Sequence, residues 1–387
     1  MSNQSSLAFA LYKYFPFGGL QRDFLRIAAA CHGKGCRIRV YTFDWQGERP
    51  PWIELCPVPK KGLTSQFRNR KFTQWVMQHR QRHPVDALIG FNKMPGLDLY
   101  YAADGCYMAR TYDLHGRFYR LGWRYRHFSH YERAVFGAGN KTGILMISER
   151  QRPIFESYYG TEPERFHMLP PGITRDRIMP ADSDGIRRAF RDEFGIAEGD
   201  RLLLMVGSGF KTKGVDRAIE ALADLPRALV EKSRLFVIGQ DNPSTIIEQA
   251  RKLGVRDRFR VFSGRDDIVR FMLGADILVH PARHENTGTV LLEAIVAGLP
   301  VLASAVCGYA HYVTEAEMGV VLEEPFEQGR LNRALGEMLG ADGERRRHWR
   351  ENGKRFSREA DIYSMPEMAA RIIVSIAGRL RDENLPA

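Results

Sequence analysis

The stretch HENTGTVLLEAIVAGLPV, residues 284–301, decides the fold class. It is preceded by the β-rich run DILVH (276–280) and overlaps the next one, PVLAS (300–304), with helical spacing between the two. Strand, helix and strand in that order make a parallel unit whose helix crosses over the sheet. Two acids interrupt it: Glu285 before the helical part, and Glu293 eight residues later inside the apolar run VLLEAIVAGLP. If the helix opens near Thr287, the free N–H groups of Thr287, Gly288 and Thr289 face the carboxyl end of the preceding strand and form a site for an anion. Gly288 allows close backbone approach, which suits a diphosphate. Eight helical residues span about 12 Å, so the two carboxylates bracket the anion and do not form an acid/base pair.

A nucleotide sugar has this layout, with Glu293 accepting from the ribose hydroxyls and Glu285 from those of the hexose. The plainer alternative makes Glu285 a helix cap and Glu293 a solvated face charge. Against it stands the apolar context of Glu293, where an unpaired charge is costly. Two other loops have the same character. In VGSGFKTKGVDRAIEAL (206–222) a strand ends, Gly207 and Gly209 free the backbone around Ser208, Lys211 and Lys213 follow, and a helix opens near Val215. Lysine there is a point charge suited to a leaving diphosphate, although the Gly-Lys-Ser/Thr ending of a Walker loop is missing. In FPFGGLQRDF (15–24), Gly18 and Gly19 stand at a helix start with Arg22 and Asp23 one turn in.

Outward from these loops, β-rich runs alternate with helical patterns along the whole chain. One series comprises 7–11, 37–43, 87–91, 99–103 and 143–148, with a helix at about 19–32 after the first run. The second comprises 202–207, 234–239, 258–264, 276–280 and 300–304. Between the series, Pro170, Pro171 and Gly172 punctuate the chain. The expected fold is α/β, with two Rossmann-like, doubly wound domains (1–173 and 174–364) facing a central cleft, and ligands at the carboxyl ends of the strands. A last amphipathic helix near 366–380 is a candidate to return to the first domain. At 387 residues the chain is long enough for two such cores.

Composition narrows the class further. Lys and Arg number 57 against 46 Asp and Glu, and the resulting +11 favours an anionic partner. Five cysteines without a Cys-x-x-Cys pair argue against a disulfide framework or a zinc knuckle. Asp182-Ser183-Asp184 has the spacing of a metal-holding D-x-D but lies in a polar stretch rather than at a strand end, so it reads as a helix start or linker, and no metal or other cofactor is expected. The start lacks a cationic leader, and no run of about 18 apolar residues suggests a membrane span, which points to a cytosolic or peripheral protein. Residues 110–133 interleave six arginines with seven aromatics. On a helical wheel Phe118, Leu121, Tyr125 and Phe128 share a side, next to a stripe of Arg117, Arg120 and Arg124. This composition suits an anionic membrane interface, with core packing and a nucleic-acid patch as the alternatives.

The E-x7-E spacing before Ala-Gly-Leu-Pro, the glycine-rich loop ending in Lys-Gly and the N-terminal Gly-Gly together resemble the GT-B retaining glycosyltransferases of family 4. More closely, LYKYFPFGGLQRDF, GFNKMPGLD, LPPGI, GVDRAIEAL, VCGYAHY and YSMPEMAARII resemble the lipopolysaccharide core heptose glucosyltransferases. The resemblance implies UDP-glucose as donor and a phosphorylated, heptose-containing core on lipid A as acceptor, with retention and without metal. It also implies a peripheral place on the cytoplasmic face of the inner membrane through segment 110–133, no nucleic acid, and a C-terminal helix (365–387) packed on the first domain. By the same resemblance Gly19 and Lys213 contact the diphosphate, Glu293 the ribose and Glu285 the glucose. Asp23 and Asp104 lie near the reacting centre, and the backbone at Gly264 and Arg265 reads uracil. One departure is Ser208, where many relatives carry a basic residue, so either Lys211 substitutes or leaving-group stabilisation rests on Lys213 alone. Two rival readings are the same fold using UDP-galactose and a non-enzymatic basic protein that binds membrane or nucleic acid.

Overall fold

The computed structural model describes residues 4–16, 18–114 and 117–383, with the side chains of 112–117 excluded. Phe17 of the N-terminal glycine loop, the Arg117 side chain of the basic stripe and residues 384–387 of the last segment therefore lie outside the described residues. The chain forms two compact units, one of residues 1–172 with 363–387 and one of 173–362.

Among the described residues of the first unit, seven parallel strands form one sheet in the order Ile53–Pro57, Arg37–Thr42, Ser6–Ala10, Ala87–Gly90, Leu99–Ala102, Gly143–Met146 and Phe166–Met168. The chain winds outward from Ser6–Ala10 to one edge and then returns to build the other side, so the order reverses between Ser6–Ala10 and Ala87–Gly90. Side chains alternate across each strand: Leu7 and Phe9 enter one core, Ala8 and Ala10 the other. Burial on both faces makes these strands read as continuous apolar runs. Helix Met365–Glu383 buries Ala369, Ala370, Ile373 and Ala377 in the same core as Phe24 and Ile27 of helix Gly19–Gly33. A fully buried side chain such as Ile373 contributes roughly 1.5–3 kcal/mol; this is what ties the C-terminal segment to the first unit.

The second unit has six parallel strands in the order Phe259–Phe262, Ser233–Ile238, Arg201–Val206, Ile277–His280, Val301–Ser304 and Gly319–Leu322. Its order reverses between Arg201–Val206 and Ile277–His280. At such a switch point the two following crossovers leave in opposite directions and open a crevice at the carboxyl ends of the strands. Both halves are thus Rossmann-like.

Several local expectations are corrected. Ile53–Pro57, Phe166–Met168 and Gly319–Leu322 are strands that the apolar pattern does not reveal. The helix of the opening stretch is Thr289–Val296, two residues later than expected, because Gly288 takes φ +83°, outside the helical region. Segment 110–133 is not one helix. It spans parts of helix Tyr107–Leu114 and helix Trp123–Phe136, with a 3₁₀ turn at Arg117–Leu121 and Gly122 before the second helix. The single helical wheel therefore fails: Tyr125 and Phe128 pack near Tyr107, with ring centroids 6.3 and 5.6 Å away, whereas Phe118 and Leu121 are exposed. All five cysteines are free thiols.

Candidate active site

At the switch point of the second unit, the loop after Arg201–Val206 and the loop after Ile277–His280 are laced together. Arg283 N donates to Thr212 O at 2.8 Å, and the Arg283 guanidinium spans Asp216 Oδ1 and Oδ2 at 2.7 and 2.6 Å. Gly214 makes this approach possible: its φ is +75°, and a Cβ there would lie 2.1 Å from Pro281 O. The lacing sets Lys213 beside Glu285. Their side chains form an ion pair on Glu285 Oε2, and His280 Nε2 lies 3.2 Å from the same oxygen.

Glu285 is 14% exposed and Glu293 12% exposed. Burial pushes the Glu285 carboxyl up, but the His280 hydrogen bond and the Lys213 ammonium bring it down to about 2, so it is an anion at neutral pH. Its backbone is pinned by a parallel bridge to Cys307. Helix Thr289–Val296 receives no side-chain cap, which removes the capping role for Glu285. Glu293 is no solvated face charge either, for Arg177 Nε stands 4.0 Å from its Oε1.

The amide donors differ from the simple picture. Thr287 and Gly288 sit in the loop before the helix; Thr287 O accepts from Tyr309 N at 2.7 Å, and Leu291 N donates to Gly288 O at 2.9 Å. Thr289 opens the first turn. In the glycine loop, Gly209 N and Phe210 N both donate to Asp241 Oδ2, so a carboxylate already occupies those two amides. Gly207 has φ +137°, Ser208 Oγ accepts from Gln240 N at 3.1 Å, and Lys211 is exposed while its carbonyl accepts from Arg283. Lys213 is therefore the lysine of this loop that meets Glu285. Gly264 follows strand Phe259–Phe262, where a Cβ would be 2.8 Å from Gln240 Nε2; Arg265 chelates Asp267 at 2.6 and 2.8 Å.

In the first unit Gly18 caps and Gly19 opens helix Gly19–Gly33 at the carboxyl end of Ser6–Ala10. A Cβ on Gly18 would collide with Gln21 Oε1 at 1.8 Å, whereas one on Gly19 would meet nothing within 4 Å. Asp23, one turn in, accepts from Tyr101 Oη at 2.8 Å. Asp104 is exposed, just past the end of Leu99–Ala102. Tyr101 thus links the helix carrying Asp23 to the strand that leads to Asp104. Asp182 and Ser183 lie at the start of helix Ser183–Glu193, and Asp184 pairs with Arg350 at 2.7 Å. Among the described residues no group of three or more His, Cys, Asp or Glu has the arrangement to hold a metal ion.

Residues missed by the sequence reading are His280, Asp241 and Arg177. His280 carried a signal, a polar residue closing an otherwise apolar strand five positions before Glu285. Asp241 stands likewise just past the strand Ser233–Ile238.

The profile of the glycosyl transferases group 1 family matches residues 186–356. Over 367 residues the chain is 50% identical to the lipopolysaccharide glucosyltransferase WaaG of Escherichia coli (strain K12), covering 95% of this chain and 98% of that protein. The chain belongs to the WaaG family of lipopolysaccharide glucosyltransferases. A crystal structure of WaaG, described as a glycosyltransferase involved in lipopolysaccharide biosynthesis, matches with a TM-score of 0.89 at 50% identity, covering 95% of this chain and 99% of that one. Anabaena HepE, solved in complex with UDP-glucose, matches with a TM-score of 0.73 at 16% identity over 96% and 99% of the two chains, a likeness of fold. This WaaG-family chain is accordingly an enzyme of GT-B fold, a glycosyltransferase of lipopolysaccharide biosynthesis. Lys213, His280, Glu285 and Glu293 all fall within the matched family region.

Proposed function

We propose that the chain transfers glucose from UDP-glucose, with retention and without a metal, to a heptose of the phosphorylated lipopolysaccharide inner core. The observation that carries this reading is the ion pair of Lys213 with Glu285 at the switch point: a cation suited to a diphosphate lies in contact with a carboxylate suited to sugar hydroxyls. In the reaction the bond from the sugar C1 to the β-phosphate oxygen breaks as a bond to the heptose hydroxyl oxygen forms on the same face. The hydroxyl proton passes to a β-phosphate oxygen of the departing UDP, so no protein nucleophile is needed. Lys213 stabilises the charge growing on that phosphate, assisted by the helix start at Thr289 with Thr287 and Gly288 before it. Glu293 is assigned the ribose hydroxyls, and the backbone at Gly264 and Arg265 the uracil. Gly207, Ser208 and Lys211 are assigned the rim of the phosphate loop. In the first unit, Gly18 and Gly19 are assigned close backbone approach to an anion, and Asp23 and Asp104 the neighbourhood of the reacting centre.

The lipid-linked acceptor also calls for a membrane surface. Among the described residues no helix is long and apolar enough to cross a membrane. Phe118, Leu121 and Trp123 are 75%, 66% and 67% exposed beside the exposed Arg124 and Arg126, which supports peripheral docking on the anionic cytoplasmic face of the inner membrane.

Lys213→Ala tests the reading. With labelled UDP-glucose and a truncated core acceptor, its turnover is expected to fall on the order of a hundredfold or more, with the melting temperature little changed. Wild-type turnover in this variant would remove Lys213 from the chemistry, and transfer from UDP-galactose in preference to UDP-glucose would reassign the donor.

A further inference from the structure

Lys213 and Glu285 face a conflict in the proposed reaction. The ammonium that now bonds Glu285 Oε2 must turn to the diphosphate as negative charge grows there. A carboxylate with only 14% of its side chain exposed is costly to leave without a donor when its cation moves away. His280 is placed to prevent this. Its ring is 1% exposed, and it closes strand Ile277–His280, which is hydrogen-bonded between Arg201–Val206 and Val301–Ser304. Its Nε2 lies 3.2 Å from Glu285 Oε2, the oxygen that Lys213 also uses. Its Nδ1 is buried and has no hydrogen-bond partner among the described residues. A proton on Nε2 and none on Nδ1 therefore fits the geometry: the ring donates to Glu285 and leaves no buried N–H unpaired. Both donors converge on Oε2, and among the described residues Oε1 accepts no hydrogen bond.

We propose that His280 is a positioning and specificity residue that holds Glu285 by Oε2, keeping Oε1 for a hydroxyl of the donor hexose while Lys213 is drawn to the diphosphate. The inference rests on the assignment of Glu285 to the sugar and Lys213 to the diphosphate. It explains why one cation can serve both: the strand-held imidazole keeps the carboxylate in register once the ammonium leaves.

The test uses the full chain, with calorimetry for UDP and UDP-glucose and turnover on a truncated core acceptor. His280→Leu is expected to bind UDP as the wild type does and to lose tenfold or more in kcat, with KM for the acceptor unchanged. His280→Gln, whose amide can reach the same oxygen, recovers most of that loss. His280→Asn, whose shorter amide cannot, repeats it and serves in place of the leucine variant should that one fail to fold. In a double-mutant cycle, His280→Leu or His280→Asn combined with Glu285→Gln is expected to be no slower than Glu285→Gln alone. A residue needed only for packing would give losses that multiply, without rescue by Gln. Multiplying losses, or wild-type kcat in both His280→Leu and His280→Asn, would overturn the role of His280. Failure of the wild type to bind UDP at all would instead overturn the reading of the site itself, and this role with it.

Discussion

Asp23 carries an ionisation that its surroundings oppose. Burial pushes its carboxyl up to about 6 from an ordinary 3.8, against the Tyr101 hydrogen bond and the charges of Arg26 and Arg22, which pull it down. Because the folded pKa lies above the unfolded one, the native state binds more protons than the unfolded chain between about pH 4 and pH 6, and stability falls as pH rises through that window. Asp23→Asn keeps an acceptor for Tyr101 and removes the titration. Its stability relative to the wild type is expected to climb with pH and to level off above about pH 6.5, with a total change on the order of 2–3 kcal/mol. Urea unfolding at pH 4.5 and 7.5 measures it, and an equal difference at both values would contradict the assignment. Glu285 is the opposite case, held low by His280 and Lys213, so two carboxylates of the proposed chemistry are set apart by their environments. A stability cost retained at Asp23 fits a residue kept for what it meets at the helix start.

Helix and strand ends decide how much of this could be read from the residues alone. The strands recognised from sequence include the central ones, such as Ser6–Ala10 and Arg201–Val206, whose burial on both faces leaves long apolar runs. In the two large sheets the three that escaped, Ile53–Pro57, Phe166–Met168 and Gly319–Leu322, all lie at edges, where burial is partial and the apolar pattern breaks up. At the candidate site, Glu285 and Lys213 were legible because each stands in a local pattern. Their partnership was not, since it joins positions 72 residues apart through the strand order, and His280 gains a role only once that order is known. Gly19 offers a test at this scale. It is exposed, and a Cβ there meets no protein atom, so Gly19→Ala is expected to leave stability unchanged or raise it by about 0.5 kcal/mol. Should the proposed backbone approach to an anion be correct, the same methyl lowers kcat/KM for the donor tenfold or more. A variant as active as the wild type would release Gly19 from the site.

The surplus charge of the whole chain, +11, is spread unevenly in its effect. Many arginines are spent inside the fold: Arg187 and Arg191 both pair with Asp276, and Arg165 is buried against the carbonyls of Val135, Gly137 and Thr142. Around the second half of segment 110–133 the situation differs. Helix Trp123–Phe136 sinks Tyr131, Val135 and Phe136 into the first unit's core, and Glu132, fully buried, accepts from Lys93 at 2.5 Å and from Tyr107 N and Met108 N at 2.8 and 3.0 Å. One end is thus anchored, while Phe118, Leu121 and Trp123 stand exposed with Arg124, Arg126 and Arg133 exposed alongside. Three exposed large apolar side chains cost a protein solubility unless something covers them, and their cationic neighbours favour an anionic bilayer surface. Replacing Phe118, Leu121 and Trp123 together by serine is expected to reduce binding to vesicles containing anionic phospholipid at least tenfold. The melting temperature should hardly move, because none of the three contributes its side chain to the core. Wild-type binding should weaken as salt is raised and be slight on purely zwitterionic vesicles, since the arginines act through a screened field. If the triple variant sediments with anionic vesicles as the wild type does, the docking face lies elsewhere, and the exposed aromatics need another partner.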